Sequence, residues 1–317
     1  MNEVQRETWR QLHEVWTRGD ALRARQRWDE AALALDQALE LAMTTGDRLT
    51  IAMLGFQLAQ VRLTLEQLEG ALEAIHQSLE AARLGSLEGL EPWILLLQGD
   101  IARQGGSLPL AVRCWQGAEG AFRDLGRQVG LAIVLKRQAE ISARRVSTES
   151  ARVQLERSVQ LARLENQVGL EASGWRALAR LQLSALQLQP GNSVPVSRKE
   201  FLEPIAGQDR LEALLPAFRF LALARGASQS IGDAQALGRE QLLRVECFWR
   251  LGDLWRADQC LKQAMSALKD SGDTLGQQEV EHWRRRLTWW RVLKAWLMLW
   301  LDQWLGRSVP TLPPGAQ

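Results

Sequence analysis

The side chains able to do chemistry are few, and their spacing builds no reactive centre. His13, His76 and His282 stand far apart and lack the close spacings of a metal-ligand set. A three-histidine site would exist only if folding brought all three together. Cys114, Cys247 and Cys260 form no Cys-x-x-Cys pair and lie in apolar helical contexts, as buried free thiols of a reducing compartment do. No phosphate-binding glycine loop or dinucleotide fingerprint is present, and Gly105-Gly106 reads as a turn between two helices. No nucleophile is paired with a base. Arg and Glu abound, but at helical spacings that give intrahelical pairs and solvated faces. The formal net charge is +2 with both signs interspersed, which gives no nucleic-acid signal. The expectation is a protein that is not an enzyme and uses no cofactor and no metal.

What the chain does carry is a period. Ala31, Ala71, Ala111 and Ala151 stand 40 residues apart. Three positions before each lies Trp28, Leu68, Leu108 or the weaker Thr148. Four positions after lies Leu35, Ile75, Trp115 or Leu155. Seven after lies Ala38, Ser78, Ala118 or Ser158. These offsets share one helical face, where small residues admit a neighbouring helix and large ones interdigitate with it. A further periodic apolar segment precedes each such helix, over 49–65, 90–103 and 129–143. Stop signals fall in phase at Gly46-Asp47, Gly85-Ser86, Gly126-Arg127 and Leu164-Glu165-Asn166. Each unit is therefore a helix–turn–helix hairpin.

Gly232-Asp233 and Gly272-Asp273 resume the 40-residue step and place further anchors at Ala217 and Ala257. The step from Ala151 to Ala217 is 66, so one unit carries 26 extra residues, and the turn-rich stretch from Gln189 to Pro195 is their natural place. Pro109 and Pro216 fall near second-helix starts, where a missing amide hydrogen is tolerated. Six hairpins result. An apolar content of 46%, the absence of Tyr and the dominance of Ala, Leu, Gln, Glu and Arg suit helices throughout and no sheet.

The run Leu-x-x-Ala-x-x-x-(large)-x-x-Ala/Ser, with a preceding glycine at Gly19 and Gly99, resembles the tetratricopeptide repeat family over roughly residues 10 to 272. The 40-residue unit with Gly-Asp boundaries looks like the extended subclass found in scaffold proteins and large bacterial regulators. The family's usual first-helix aromatic and unit-ending proline are mostly missing. The resemblance implies an all-α, right-handed superhelical solenoid whose first helices line a concave wall that binds peptides or partner helices. By register that wall takes His13, Trp16, Asp20 and Arg23, then Met53, Phe56, Gln60 and Leu63. It continues with Trp93, Leu96, Asp100 and Arg103, then Ile133, Lys136, Glu140 and Arg144. The last two units supply Ser173, Arg176, Arg180 and Leu183, and Arg239, Leu242, Glu246 and Trp249. The Lys/Asn carboxylate clamp of some family members is not matched, which disfavours chaperone-tail binding. Trp16, Phe56 and Trp93 suit an apolar anchor. Lys136, Arg144, Arg176 and Arg180 suit acidic side chains or a phosphate. The expected partner is a protein or peptide segment apolar at one end and acidic at the other. The opposing reading packs the aromatics between helices and leaves the arginines solvated.

Residues 274–306 read as one long helix, closed by Gly306 and followed by a mobile tail over 307–317. Trp289, Trp290, Trp296, Trp300 and Trp304, with Leu287, Leu293, Leu297 and Leu301, form a wide apolar arc, opposed by Arg284, Arg291 and Asp302. That arc could cap the solenoid, join two copies or lie on a membrane surface. Arg291, Lys294 and Asp302 interrupt it, so it does not span a membrane. The expected organisation is a solenoid over 1–272 with an insertion near 189–210, the long helix, and the tail. The first six residues carry no apolar signal core, so the expected location is the cytoplasm, with membrane association confined to the C-terminal helix. The expected role is a scaffold or adaptor. The alternatives are a regulatory module of a signalling or transcription system acting in trans, and a peripheral membrane assembly factor.

Overall fold

The structure, a computed structural model, describes residues 3–145, 147–188, 205–269, 271 and 273–288. Side chains at 3–4, 144–145, 187–188 and 205–211 fall outside that description. The described residues hold helices and turns and no strand. Six hairpins pair α1 (Glu3–Ala24) with α2 (Trp28–Thr45), α3 (Arg48–Thr64) with α4 (Leu68–Leu84), and α5 (Glu91–Gln104) with α6 (Leu108–Asp124). The remaining pairs are α7 (Gln128–Arg145) with α8 (Thr148–Leu164), α9 (Val168–Leu188) with α10 (Ile205–Ser230), and α11 (Ala234–Leu251) with α12 (Leu254–Lys269). A further helix, α13, covers 274–288. The chain divides into two compact units, Met1–Glu165 and Asn166–Gln317.

The helix ends follow the period closely. Between hairpins, the left-handed region is entered at Gly46 (φ 71°), Ser86 (φ 51°), Gly126 (φ 63°), Asn166 (φ 53°) and Gly232 (φ 67°). Within the first three hairpins it is entered at Gln26, Glu66 and Gly106. At the second boundary the expected glycine is not the residue used. Gly85 stays at φ −91° and Ser86 turns instead. Packing phase outweighs the roughly 1–2 kcal/mol that an L-residue loses there. The aspartates beside two of these glycines cap the next helices: Asp47 accepts from the Thr50 amide at 3.1 Å and Asp233 from the Ala236 amide at 2.9 Å.

All six anchor alanines are fully buried, together with Leu35, Ile75, Trp115 and Leu221 at the +4 register. The +7 register carries Ala38, Ser78, Ala118, Ser158, Ala224 and Ala264, buried alike. Ser78 donates its hydroxyl to the Ala52 carbonyl and Ser158 to the Ala132 carbonyl, each at 2.6 Å. Several details thus repeat at 80 residues rather than 40. Gly19 lies under Leu35 and Gly99 under Trp115, while the registers between hold Ala59 and Ala139. Ser78→Ala and Ser158→Ala should each cost about 1 kcal/mol, because alanine already fits this register elsewhere and only one hydrogen bond is lost. Urea unfolding of the single and double variants should show the two losses adding, as distant sites do.

Pro109 begins α6 as expected. Pro216 does not begin a helix. It sits inside α10, because the end of the inserted stretch, from Ile205 on, has joined that helix. Residues 189–204 lie outside the described residues. In the second unit Asp273 caps α13 by accepting from the Gly276 amide at 3.0 Å. Val280 and Leu287 are buried against α11 and α12, and Trp283 meets Trp249 edge-on at 5.8 Å. Arg286 reaches over both rings. Residues 274–288 therefore stand where the first helix of a further hairpin would stand. Trp289, Trp290, Trp296, Trp300, Trp304 and the tail lie outside the described residues.

Candidate interaction surface

In the first unit, successive first helices touch: α3 meets α5, and α5 meets α7. Side chains tie the same row together. Trp16 donates its indole N–H to Gln57 Oε1 at 2.9 Å, and Arg23, paired with Asp20 at 3.0 Å, reaches Gln60 at 3.5 Å. Arg137 of α7 pairs with Asp100 of α5 at 3.0 Å. Burial pushes the Asp100 carboxyl up, and the Arg137 and Arg103 guanidinium groups pull it back only in part.

The aromatics expected to greet a partner are half-buried. Trp16 and Phe56 pack against the core of α1 to α5, and Trp93 lies edge-on to the buried Phe122 ring at 4.7 Å. Each therefore spends much of its surface between helices and presents only the remainder outward. Arg103 and Glu140 are exposed, Lys136 is half-buried, and the Arg144 side chain lies outside the described residues.

In the second unit the arginines divide. Arg180 is exposed. Arg176 is not available in the way its register implied. Its Nη1 donates to Glu240 and to the Ser228 hydroxyl, both at 3.2 Å, and Glu240 is only 1% exposed. A carboxylate on α11 holds the cation that was expected to face an acidic partner. Burial pushes the Glu240 carboxyl up despite the hydrogen bonds from Ser228 and Arg176. Arg239 clasps Asp273 with two bonds, at 2.6 and 2.9 Å, and these hold that carboxyl down at about 2. Arg250 pairs with Glu246 and donates to the Leu183 carbonyl at 2.7 Å, joining α11 to α9.

Sequence reasoning passed over Arg137, Ser228 and Glu240. The repeat held a signal for the last. Glu240 lies 23 residues past its anchor, where Leu54, Ile94 and Val134 stand in other units. A carboxylate at an aliphatic core register requires a buried partner.

Among the described residues, no group of three or more His, Cys, Asp or Glu could hold a metal ion. The three cysteines are free and buried. Burial pushes all three thiols up, Cys247 to about 12, which keeps them protonated and poorly nucleophilic. No described helix is long and apolar enough to cross a membrane.

No family model and no curated protein matches the sequence. Solved structures do match the fold. The apo form of RapI aligns with a TM-score of 0.51 at 10% identity, over 81% of this chain and 97% of its own. The apo form of the quorum sensor NprR from B. thuringiensis aligns with a TM-score of 0.50 at 14% identity, over 84% of this chain and 79% of its own. The fold is thus an all-helical array of tetratricopeptide-like hairpins.

Proposed function

We propose that this chain is a protein–protein interaction scaffold or adaptor of the extended, 40-residue tetratricopeptide type. A partner segment lies along the first helices of the unit Met1–Glu165. The observation that carries this reading is the direct contact of α3 with α5 and α5 with α7, which sets successive first helices side by side as one wall. The outward edges of Trp16, Phe56 and Trp93 supply apolar contact, and Arg103 supplies an exposed cation for an acidic side chain. Arg180 plays the same part in the second unit. The likeness to the quorum sensor NprR supports a second reading, in which the wall belongs to a regulatory module and the bound segment is a signal. The burial of Val280 and Leu287 favours a capping role for the start of the C-terminal helix.

The test is site-specific photocrosslinking in cells of origin. A photoreactive residue at position 103 should trap a defined protein that the same residue at position 73, on the exposed side of α4, does not. With that partner purified, Arg103→Glu should weaken binding by about tenfold or more, and the loss should shrink as salt rises. Equal trapping from both positions, or unchanged affinity of the Arg103 variant, would overturn the wall reading.

A further inference from the structure

The outward positions of the second helices change character along the chain. Two positions before the anchor stand Asp29 and Glu69 in the first two hairpins, but Leu215 and Trp255 in the last two. Two after it stand Leu33 and Glu73, against Arg219 and Gln259. Nine after it stand Glu40 and Glu80, against Gly226 and Ser266. Within each unit, matching register puts these positions on the same side of successive second helices. The α2–α4 face is therefore acidic, and the α10–α12 face is apolar and basic.

Neither face is matched within its own unit. Asp29, Glu40, Glu69, Glu73 and Glu80 are exposed, and among the described residues no Lys, Arg or His nitrogen lies within 4.0 Å of any of their carboxylates. Arg83 of α4 is already paired with Glu91 at 2.9 Å, and Asp36 with Arg62 at 2.6 Å. A row of uncompensated carboxylates repels itself until cations meet it. The acidic face also holds a recess. His76, Leu79, Glu80, Arg83 and Leu84 line a shallow cavity of about 320 Å³ on α4. Two leucines there stand with a carboxylate able to accept from an indole N–H. On the α10–α12 face Trp255 is 70% exposed, and Leu215 and Leu223 are exposed as well. Arg219 and Lys269 are exposed cations, and Lys262 stays exposed although it pairs with Asp258 at 3.0 Å. An exposed indole is the kind of anchor that dominates protein contacts.

We propose that a second copy of this chain docks on the α10–α12 face through its α2–α4 face. Trp255 of one copy enters the α4 recess of the other, while Arg219, Lys262 and Lys269 meet the carboxylates of that face. Both halves of the match stand at the same registers of one sequence, so every copy brings the complement of its own surface. Such a contact is heterologous. Made twice about a dyad it closes a dimer, and made once per copy it extends a row. It uses second helices only and leaves the first-helix wall free for its own partner.

The experiment is sedimentation velocity of the full chain over a concentration series at low and high salt, with variants at exposed positions. The native chain should self-associate, and more weakly as salt rises. Trp255→Ser removes the anchor, and Glu73→Lys combined with Glu80→Lys reverses charge on the acidic face. Each should weaken association by about tenfold or more. An equimolar mixture of the two should form a dimer and nothing larger, because the intact α2–α4 face of the first then meets the intact α10–α12 face of the second. A photoreactive residue at position 73, which misses the wall partner, should crosslink to α10 or α12 of another copy. A native chain that stays monomeric, a variant that associates as the native chain does, or a mixture that fails to pair would each overturn the contact. A monomeric native chain that sediments with phosphatidylglycerol vesicles, and loses this in Trp255→Ser, would give the face to a lipid surface instead.

Discussion

Gly99→Ala should destabilise the first unit by about 3 kcal/mol or more. A methyl group on Gly99 would lie 2.3 Å from Nε1 and 2.4 Å from Cδ1 of Trp115. That indole is fully buried and donates to the Leu96 carbonyl at 3.2 Å, so the ring cannot withdraw without stranding its N–H. Overpacking and the lost hydrogen bond then act together. Gly120→Ala should do the opposite. It lies inside α6 with nothing within 4 Å of an added methyl, so alanine should stabilise by up to about 1 kcal/mol. The repeat also supplies a rescue. Gly99→Ala combined with Trp115→Leu recreates the Ala139 and Leu155 combination of the neighbouring hairpin. Urea midpoints followed by circular dichroism should fall for the first variant, rise for the second and largely recover in the third. A Gly99→Ala chain with an unchanged midpoint would show that Trp115 has space the structure does not give it.

Arg176→Met should cost about 3–5 kcal/mol, because it strands the Glu240 carboxylate in the core. Adding Glu240→Leu should restore most of that loss, since the same register holds Leu54, Ile94 and Val134 in the first hairpins. The pH dependence gives a second signature. The Glu240 carboxyl is raised by burial even with Arg176 present, and losing the cation raises it further. The folded state of the Arg176→Met chain then binds this proton more tightly than the unfolded chain does, whose glutamate titrates near about 4.3. Its stability should therefore fall as pH rises through the interval between the two values, and hold level below the lower one. Unfolding at pH 5 and pH 8 should show the single variant regaining stability at the lower pH, while the double variant does not. Equal losses at both pH values, or a double variant no better than the single, would place the cost elsewhere than in a stranded charge.

Much of this architecture was legible because depth in a repeat is a matter of phase. The six anchor alanines, their +4 and +7 companions and the hairpin boundaries were read from spacing alone, and every anchor is fully buried. The boundary at 85–86 was legible in place but not in detail. Glycine preference pointed to Gly85, whereas the lengths of the flanking helices put the turn on Ser86. Pro216 misled for a related reason. Spacing set its distance from Ala217, but not how far the inserted residues would extend α10 backward. The charges were least legible. Register assigned Arg176 a face of its helix, yet its partner lies 64 residues away on another helix. Phase assigns a side chain to a face; it does not say which neighbour reaches that face first. Trp16, Phe56 and Trp93 show the same limit, since each is half-buried against neighbouring helices.

The 80-residue recurrence has a practical meaning. Gly19 with Leu35 and Gly99 with Trp115 form one kind of seam, and Ser78 over Ala52 and Ser158 over Ala132 form the other. Each of these contacts joins the two helices of one hairpin, so it travels with that hairpin. Met1–Glu165 thus holds two hairpins closed by glycine under a large side chain and two closed by a serine hydroxyl on a carbonyl. Exchanging one closure for the other needs paired substitutions inside a single hairpin, on both of its helices, and none in the hairpins beside it.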